Sequence, residues 1–588
     1  MLFMPSLYRI EKIDFSGGET VELEAAGLLI LVGPNNSGKS RLLRDVETLW
    51  NNRASPESVR VASSMNVAHN QNWTEVESWI REHYSVINLE NGRVLYSGIG
   101  AQAQLRYDSL ENIINWIYRD DFKGFVISRL DTESRLRLSN PPHRIDPFND
   151  KPQHFIHVMQ ANDTVYERIR REVKAAFDLD LVIDFAGGGQ VALYVGDEPD
   201  LQVGWDRVHP DYARAIRDQM DPLQEAGDGV RSYVVTLASA LSESQPVLLV
   251  DEPEAFLHPP QARRIGKLLG ELATSRNRQI IAATHSSDLV RGALSSGGRV
   301  AVLRIDRERS GPGQSVNHAN LLGHDDLSAL WEKPILKSSH AIDGIFHRGA
   351  VVCEADADAR FYESILLRME EDGLLGRPAD LHFVQGGGKG ELPTLARSYS
   401  RLQVPVAVIA DFDILRSEAD VTRVVEVLGH DFSAFEHDFR VASSALAEQA
   451  PIQSESEALN AVEARISQIR SRGADGSITG TDRRAISAAL KDAQQWSEAK
   501  RYGVRRLRGE QRQAGDRLLD SLASIGLFIV KNGELESWDE SLSSGQKDVW
   551  IREALEKIVS DTNSFSEAVS FMQSIESFLN SLASEPAA

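Results

Sequence analysis

Short apolar runs that end in polar or charged residues recur along the chain. The clearest lie at residues 28–32, 247–250, 279–284, 350–353, 381–384, 406–410 and 526–530. Each has the length and composition of a buried strand, and segments with helical periodicity lie between them. This alternation predicts an α/β fold with parallel sheets, in which sites form beyond the carboxyl ends of the strands.

A glycine-rich loop follows the first of these strands. It consists of Gly33, Pro34, Asn35, Asn36, Ser37, Gly38, Lys39 and Ser40, the GxxxxGKS pattern of a phosphate-binding loop. Such a loop lets backbone N–H groups surround phosphate oxygens at the start of a helix. We expect Lys39 to reach the β- and γ-phosphates of ATP and Ser40 to place its hydroxyl on Mg²⁺.

Two later strands supply the remaining groups of an ATPase site. The run 247–250 ends in Asp251 and Glu252. Asp251 is expected to hold Mg²⁺, and Glu252 is the candidate general base for the water that attacks the γ-phosphate. The run 279–284 ends in His285, which is placed to contact the γ-phosphate.

A second set of carboxylates lies in the C-terminal half of the chain. One strand ends in Glu354, with Asp358 four residues later, and another runs into Asp411 and Asp413. Converging carboxylates repel one another and raise each other's pKa values unless a cation lies between them. Mg²⁺ or Mn²⁺ suits such a set, and two ions about 4 Å apart could promote phosphodiester cleavage. The sequence therefore predicts a metal site that the ATPase does not need.

Composition limits the remaining possibilities. The chain has 588 residues, enough for several domains, and its single cysteine, Cys353, excludes an intramolecular disulfide and a multi-cysteine metal site. No apolar run approaches the ~18 residues that cross a membrane, and residues 1–15 lack the pattern of a secretory signal. We expect a cytoplasmic protein with no membrane partner.

The net charge of −22 argues against non-specific nucleic-acid binding by the whole surface. A local basic track surrounds Tyr502 and comprises Lys500, Arg501, Arg505, Arg506, Arg508 and Arg512. On one continuous helix, positions 501, 505, 508 and 512 would share a face. Two interpretations stay open: a solvated helix face and a face that contacts DNA phosphates.

The motifs of the N-terminal half resemble those of ABC-type ATPases, in the branch that acts in DNA repair and chromosome structure. The pattern LLxDEPExxLHP is present from residue 248, and residues 225–232 are the best candidate for the signature segment, although they depart from LSGGQ. The resemblance implies that this segment binds nucleotide across a dimer interface, so a homodimer or larger even homo-oligomer is expected.

The C-terminal half resembles a TOPRIM domain, with Ala355 in place of the glycine of the EGxxD element. An ABC-type ATPase followed by TOPRIM is similar to the OLD (overcoming lysogenization defect) nucleases, and the nuclease subunit of the Gabija anti-phage system is similar too. The resemblance implies that Glu536, favoured slightly over Glu534, contributes to a second metal position. It also implies that Lys547 assists near the scissile phosphate.

The expected organisation follows from these motifs. Residues 1–305 form an ABC-type P-loop ATPase domain in which 51–220 is an inserted arm or dimerisation region. A linker spans 306–344, and a TOPRIM α/β domain spans 345–588 with a helical insertion at about 440–515.

The predicted function is an ATP-regulated, divalent-metal-dependent DNA endonuclease or nickase of prokaryotic anti-phage defence. Double-stranded DNA is the expected partner, and a helicase or other effector protein is a further one. The alternative is an ATP-driven clamp, sensor or scaffold with a degenerate TOPRIM site that works through a separate effector. A topoisomerase or primase is disfavoured, because zinc-binding cysteines are missing and no tyrosine stands in an assignable nucleophile motif.

Overall fold

The protein was analysed as a computed structural model in which the chain divides into two compact units, Met1–Ser338 and Ser339–Ala588. The structure describes residues 8–50, 59–69, 73–89, 93–106, 120–146, 149–202, 204, 206–242, 244–311, 314–332, 340–449, 463, 466–467, 483, 502–542, 547–561 and 564–582. Within these ranges, no helix is both long enough and apolar enough to cross a bilayer.

The first unit mixes strands and helices throughout its length. Its strands are β1 (Tyr8–Phe15), β2 (Thr20–Glu22), β3 (Gly27–Val32), β4 (Ala62–His69), β5 (Ser85–Asn88), β6 (Arg93–Gly98), β7 (Ala101–Arg106), β8 (Ile127–Leu130), β9 (Asp180–Ile183), β10 (Leu193–Gly196), β11 (Asp221–Pro222), β12 (Val247–Asp251), β13 (Gln279–Ala283), β14 (Val300–Gly311) and β15 (Gln314–Leu322). Its helices are α1 (Lys39–Leu49), α2 (Trp73–His83), α3 (Asp120–Val126), α4 (Thr132–Leu138), α5 (Phe155–Ala161), α6 (Asp163–Phe177), α7 (Pro210–Gln219), α8 (Asp228–Leu241), α9 (Pro259–Ser275), α10 (Ser287–Leu294) and α11 (His324–Trp331).

A six-stranded sheet with the order β15-β14-β3-β13-β12-β8 organises this unit. The strands from β14 to β8 run parallel, and β15 closes one edge as an antiparallel hairpin partner of β14. The central strands β3, β12 and β13 are almost wholly buried, because helices cover a parallel sheet on both faces. Their carboxyl ends therefore meet at one edge, where polar residues can converge.

Smaller antiparallel sheets complete the first unit, with the orders β2-β1-β4, β11-β10-β9 and β5-β6-β7. The expected insertion at 51–220 is wrong for two of its segments. Strand β8 pairs in parallel with β12 inside the central sheet, and β4 pairs with β1. These strands belong to the framework of the ATPase, and their short, partly polar sequences did not reveal it.

The expected linker at 306–344 is also wrong at its start. Residues 306–322 continue β14 and form β15, whose register pairs Arg304 with Asn320 and Asp306 with His318. In β15, Asn317 and Ala319 are buried, while His318 and Asn320 are partly exposed. Buried and exposed residues alternate in this way along an edge strand that is covered on one face only. The exposed residues are polar, and for that reason the sequence of the strand resembles that of a linker.

The second unit contains a four-stranded parallel sheet with the order β17-β16-β18-β19. Its strands are β16 (Gly349–Cys353), β17 (Leu381–Gln385), β18 (Val406–Ala410) and β19 (Leu527–Ile529). Its helices are α12 (Asp356–Glu371), α13 (Leu392–Arg401), α14 (Glu418–Val427), α15 (Glu436–Gln449), α16 (Gly509–Ala523), α17 (Lys547–Ser560) and α18 (Ser566–Leu582). Short 3₁₀ turns lie at His340–Phe346, Lys389–Glu391, Phe412–Arg416, Phe432–Ala434, Gly503–Arg506 and Leu535–Trp538.

Aromatic side chains form much of the second core. Trp550 is fully buried and packs at 5.5 Å, ring centre to ring centre, from Phe361. Phe565 contacts the same ring of Phe361 at 5.2 Å. These contacts bring α17 and the loop before α18 against α12, so the C-terminal segment completes the same core as the first strand of the sheet.

Much of the expected helical insertion at 440–515, including Lys500 and Arg501, lies outside the described residues. The basic track is not one helix over the part that is described. Arg505 lies in the 3₁₀ turn Gly503–Arg506, Arg508 is extended, and α16 starts only at Gly509. Gly503 and Gly509 both have positive φ, near +54° and +55°, which interrupts helical geometry. The prediction that Arg505, Arg508 and Arg512 share one helix face is therefore wrong.

Candidate functional site

The glycine-rich loop connects β3 to α1 as the sequence predicts. Lys39 is buried, with 4% of its surface exposed, and its Nζ donates to the carbonyl oxygens of Gly33 at 2.7 Å and Pro34 at 3.0 Å. Gly33 has φ near +133°, and a Cβ there would lie 2.2 Å from the carbonyl oxygen of Ile305. A glycine is required at this position because the loop passes directly over β14.

Ser40 and Asp251 meet across the sheet edge. The Ser40 hydroxyl donates to Oδ1 of Asp251 at 2.8 Å, although the two residues are 211 positions apart. This contact joins the start of α1 to the end of β12. It places a hydroxyl and a carboxylate side by side, the two oxygen types expected to hold Mg²⁺ beside the phosphates.

Glu252 and His285 stand at the same edge. Nε2 of His285 lies 3.8 Å from Oε1 of Glu252. Burial lowers the pKa of His285, and the nearby Lys39 ammonium acts in the same direction. Burial also lowers the pKa of Lys39 to about 8, although Glu252 and other carboxylates oppose that shift. The predicted ATPase groups are thus brought together and electrostatically coupled.

Two residues that the sequence interpretation did not assign support this edge. Oε1 of Glu254 accepts from the Thr284 hydroxyl at 2.6 Å and from the His285 backbone N–H at 2.9 Å. Arg135 donates to the carbonyl oxygens of Asp251 at 2.7 Å and Glu252 at 2.9 Å. Glu254 belongs to the DEPE pattern, so its place in a known motif could have identified it from the sequence. Arg135 lies in α4 with no motif around it, and the sequence gives no indication of its role.

The second acidic site forms at the carboxyl ends of β16 and β18. One carboxylate oxygen from each of Glu354, Asp411 and Asp413 lies within 4.8 Å of the others. The Asp411 backbone N–H donates to Oε1 of Glu354 at 2.9 Å, which ties the ends of the two neighbouring strands together. Adjacent parallel strands thus bring residues 57 positions apart to one point.

The surroundings of Glu354 favour a cation. Burial raises the pKa of Glu354 to about 7, and the Asp413 and Asp358 carboxylates act in the same direction. The Lys389 ammonium opposes this shift, and Lys389 forms an ion pair with Asp413. Lys389 lies in the glycine-rich turn 386–390 and was given no role from sequence. A set of oxygen donors with excess negative charge fits Mg²⁺ or Mn²⁺.

Asp358 lies apart from this three-carboxylate set. Its Oδ1 accepts from Lys547 Nζ at 2.9 Å and its Oδ2 from the Ala355 backbone N–H at 2.9 Å. Burial opposes protonation of Lys547, but Asp358 raises its pKa above the ordinary value, and Asp411 and Glu536 act in the same direction. The roles of Asp358 and Glu536 as metal ligands, and of Lys547 in catalysis, stay predictions.

Comparisons with known proteins agree with this division of the chain. Residues 114–291 match the family described as "AAA domain, putative AbiEii toxin, Type IV TA system". Residues 345–413 match the family described as "Overcoming lysogenization defect protein-like, TOPRIM domain". The chain carries an AAA-type ATPase domain followed by an OLD-like TOPRIM domain. The α/β fold class is confirmed, and the domain pair supports an ATP-dependent nuclease of the OLD type that uses nucleotide and divalent metal.

Individual relatives cover smaller parts or align weakly. Over 74 residues the chain is 36% identical to the Phosphonates import ATP-binding protein PhnC 2 of Synechococcus sp. (strain JA-2-3B'a(2-13)), a match that spans 13% of this chain and 28% of that protein. The Smc head domain bound to the C-terminal domain of ScpA from Pyrococcus furiosus is 12% identical with a TM-score of 0.30, covering 55% of this chain and 99% of that chain. The SMC head domain from Thermotoga maritima is 15% identical with a TM-score of 0.26, covering 53% and 99%. Similarities at these TM-scores carry no argument about function.

Proposed function

We propose that this protein is an ATP-regulated, divalent-metal-dependent DNA endonuclease or nickase. The observation that carries the proposal is the convergence of Glu354, Asp411 and Asp413 within 4.8 Å at the carboxyl edge of the TOPRIM sheet. Structural ion pairs would neutralise such a cluster, but Lys389 and Lys547 supply two positive charges against the four carboxylates of Glu354, Asp358, Asp411 and Asp413. The remaining negative charge suits a divalent ion.

Glu354, Asp411 and Asp413 would hold the first ion, and Asp358 and Glu536 are the candidates for a second position. When bound, Mg²⁺ or Mn²⁺ supplies Lewis-acid activation of water and stabilisation of the leaving oxygen. The protein contributes fixed carboxylates on neighbouring strand ends and the Lys547 ammonium beside them. Such a cation is suited to the negative charge that develops on a scissile phosphate.

ATP is proposed to regulate cleavage, since hydrolysis of a phosphodiester requires no energy from ATP. The first unit holds Lys39 for the phosphates, Ser40 and Asp251 for Mg²⁺, and Glu252 as general base. A second protomer would complete the nucleotide site through residues 225–232, so we propose a homodimer or larger even homo-oligomer. The resemblance to OLD nucleases further suggests double-stranded DNA as substrate, a helicase or other effector as partner, and cytoplasmic anti-phage defence.

The test is cleavage of supercoiled plasmid by the purified full chain with Mg²⁺, Mn²⁺ or EDTA, each with no nucleotide, ATP or a non-hydrolysable ATP analogue. We expect metal-dependent conversion to nicked or linear DNA, with a rate that changes with nucleotide. Glu354→Gln should abolish cleavage, whereas Asp431→Asn, at an exposed turn cap of the same unit, should not.

Absence of cleavage under every condition, together with nucleotide-dependent DNA binding, would contradict the nuclease and favour the clamp or scaffold. Plaque counts on cells that carry the wild-type protein or Glu354→Gln test the defence role separately. Equal protection by both proteins would contradict a nuclease-based defence.

A further inference from the structure

Arg135 is the most completely enclosed cation of the described ATPase unit and belongs to no motif. Its surface is 0% exposed, although it lies on the short helix α4. Its guanidinium donates from Nη1 to the carbonyl oxygen of Asp251 at 2.7 Å, from Nη2 to that of Glu252 at 2.9 Å, and from Nε to the Ser232 hydroxyl at 2.8 Å. A planar fork of donors is the geometry that lets one side chain hold several acceptors at once.

Ser232 connects this fork to the candidate signature segment. It is the last residue of that segment, 225–232, and lies in the first turns of α8 (Asp228–Leu241). A second contact strengthens the same junction, because Arg231 donates to the carbonyl oxygen of Leu136 at 3.0 Å and to the Ser139 hydroxyl at 3.0 Å. The start of α8 and helix α4 are therefore held together by both arginines.

The other end of the fork reaches the candidate general base. Glu252 has φ near +49°, a left-handed backbone conformation that is uncommon for a residue with a Cβ. Its backbone N–H donates to the carbonyl oxygen of Ala283 at 2.8 Å, and its carbonyl oxygen accepts both from Arg135 and from the Ala255 backbone N–H at 2.9 Å. Unusual backbone conformations persist where the surroundings hold them, and these contacts hold the backbone from which the Glu252 side chain projects.

We propose that Arg135 is a positioning residue for ATP hydrolysis, which couples the signature segment of α8 to the backbone of Glu252. If α8 moves when nucleotide binds, the rigid guanidinium of Arg135 would transmit that movement to the backbone of the general base, Glu252. Arg135 touches no phosphate-binding residue side chain among its described hydrogen bonds, so it acts on catalysis through Glu252 and not on nucleotide binding. The inference rests on the proposed ATPase activity.

Arg278 provides a matched control. It is also buried, with 3% of its surface exposed, and it donates to the carbonyl oxygens of Ser239 at 3.2 Å and Ala240 at 3.0 Å. Those acceptors lie near the C-terminal end of the same helix α8, about two turns after Ser232. Both of these bonds come from Nη1, so Arg278→Lys changes a buried guanidinium that contacts α8 without touching Glu252.

The experiment compares Arg135→Lys with Arg278→Lys in the full chain. A lysine keeps the charge but cannot bridge the two carbonyls and the hydroxyl. Steady-state ATPase kinetics, direct binding of a fluorescent ATP analogue, and melting temperature are measured for each variant. We expect Arg135→Lys to lower kcat about tenfold or more with KM and analogue affinity within about twofold of wild type, the signature of a lost transition-state interaction. Arg278→Lys should keep kcat close to the wild-type value, although its melting temperature should fall by about as much as that of Arg135→Lys.

Ser232→Ala serves as the second variant, since it leaves every charge in place and tests the link even if Arg135→Lys does not fold. It should lower kcat in the same direction, and the double variant should lose less than the product of the two single effects. The inference is overturned if Arg135→Lys and Ser232→Ala leave kcat at the level of Arg278→Lys, or if they raise KM alone. A failure of the proposed ATPase is separate, because wild type would then hydrolyse no ATP.

Discussion

Lys547 donates a hydrogen bond to Asp358 at 2.9 Å, although 189 positions separate the two residues along the chain. Asp358 is buried, with 4% of its surface exposed, at the start of the helix that follows β16. The contact joins the first turn of α12 to the first residue of α17. A cation is thereby held near Asp411, and the resemblance to OLD nucleases implies that this lysine assists near the scissile phosphate.

A double-variant experiment separates the structural and chemical roles of this pair. Lys547→Ala should reduce DNA cleavage by about 100-fold, as expected for loss of a transition-state cation. It should also lower the melting temperature, because Asp358 is left buried without its partner. Adding Asp358→Asn should recover the melting temperature but not cleavage.

Lys557→Ala is the control for that experiment. Lys557 lies on the same helix α17 and pairs with Asp539 at 2.5 Å, so the Lys557→Ala variant also loses an ion pair of this helix. Its cleavage rate should stay near wild type. Full recovery of cleavage in the Lys547→Ala, Asp358→Asn protein would show that neither Lys547 nor the Asp358 carboxylate takes part in cleavage.

Asp411→Ala should separate the two activities of the chain. The change removes an oxygen ligand from the cluster, and plasmid cleavage should fall by about 100-fold or more. ATP hydrolysis should stay within about twofold, since Asp411 belongs to a different compact unit of the chain from Lys39 and Glu252. The metal-free protein should melt at an unchanged or higher temperature, because one of three repelling carboxylates is gone. Plasmid nicking, ATPase rate and melting are measured on one preparation, and retained cleavage would refute the metal site.

Glu252→Gln should bind ATP but hydrolyse it slowly. The amide cannot accept the proton of the attacking water, and loss of a general base typically costs about 100-fold or more in rate. Glu271→Gln, which removes a partly exposed ion pair with Lys267 on α9, should hydrolyse ATP normally. Wild-type turnover by Glu252→Gln would show that another group activates the water.

His318 should make the stability of the ATPase unit depend on pH. Burial acts to lower its pKa, but hydrogen bonds with Glu19 at 2.5 Å and Glu308 at 3.1 Å prevail and raise it. A raised pKa in the folded state means that the imidazolium stabilises the fold fully below the unfolded value of about 6.5. That contribution is lost as pH rises through the folded value.

The corresponding measurement is the difference in melting temperature between wild type and His318→Gln across pH 6 to 9. The wild-type advantage should be largest at the acid end and shrink toward pH 9. A difference that stays constant or grows with pH would contradict the charged state of His318.

The candidate ATP site shows which contacts can be predicted from local sequence patterns. Lys39 and Ser40 follow a strand and open a helix as the glycine-rich loop predicts. The contact of Ser40 with Asp251 follows from the order of motifs, because each strand of a parallel sheet delivers its next residue to the same edge. Glu354, Asp411 and Asp413 converge for the same reason.

Long-range packing explains where the sequence interpretation failed. The predicted linker overlaps the hairpin β14–β15 from residue 306, because an edge strand exposes part of its residues and its sequence is therefore partly polar. Arg505, Arg508 and Arg512 have helical spacing, but Gly503 and Gly509 adopt positive φ and divide the segment. Neither outcome is encoded in the periodicity alone, since each depends on what the segment packs against.

The sequence by itself determined the two chemistries: phosphate-binding groups on one set of strand ends and metal-type carboxylates on another. These are local, because a strand, a turn and the residue that follows are contiguous in the chain. Only the tertiary structure showed that Arg135 is enclosed beside Glu252 and that Lys547 is held by Asp358. Arg135 reaches Glu252 from 117 positions away, and Lys547 reaches Asp358 from 189. An arginine outside any motif carries no functional signal in the sequence, and Arg135 is singled out only because folding encloses it beside the carbonyl oxygens of Asp251 and Glu252.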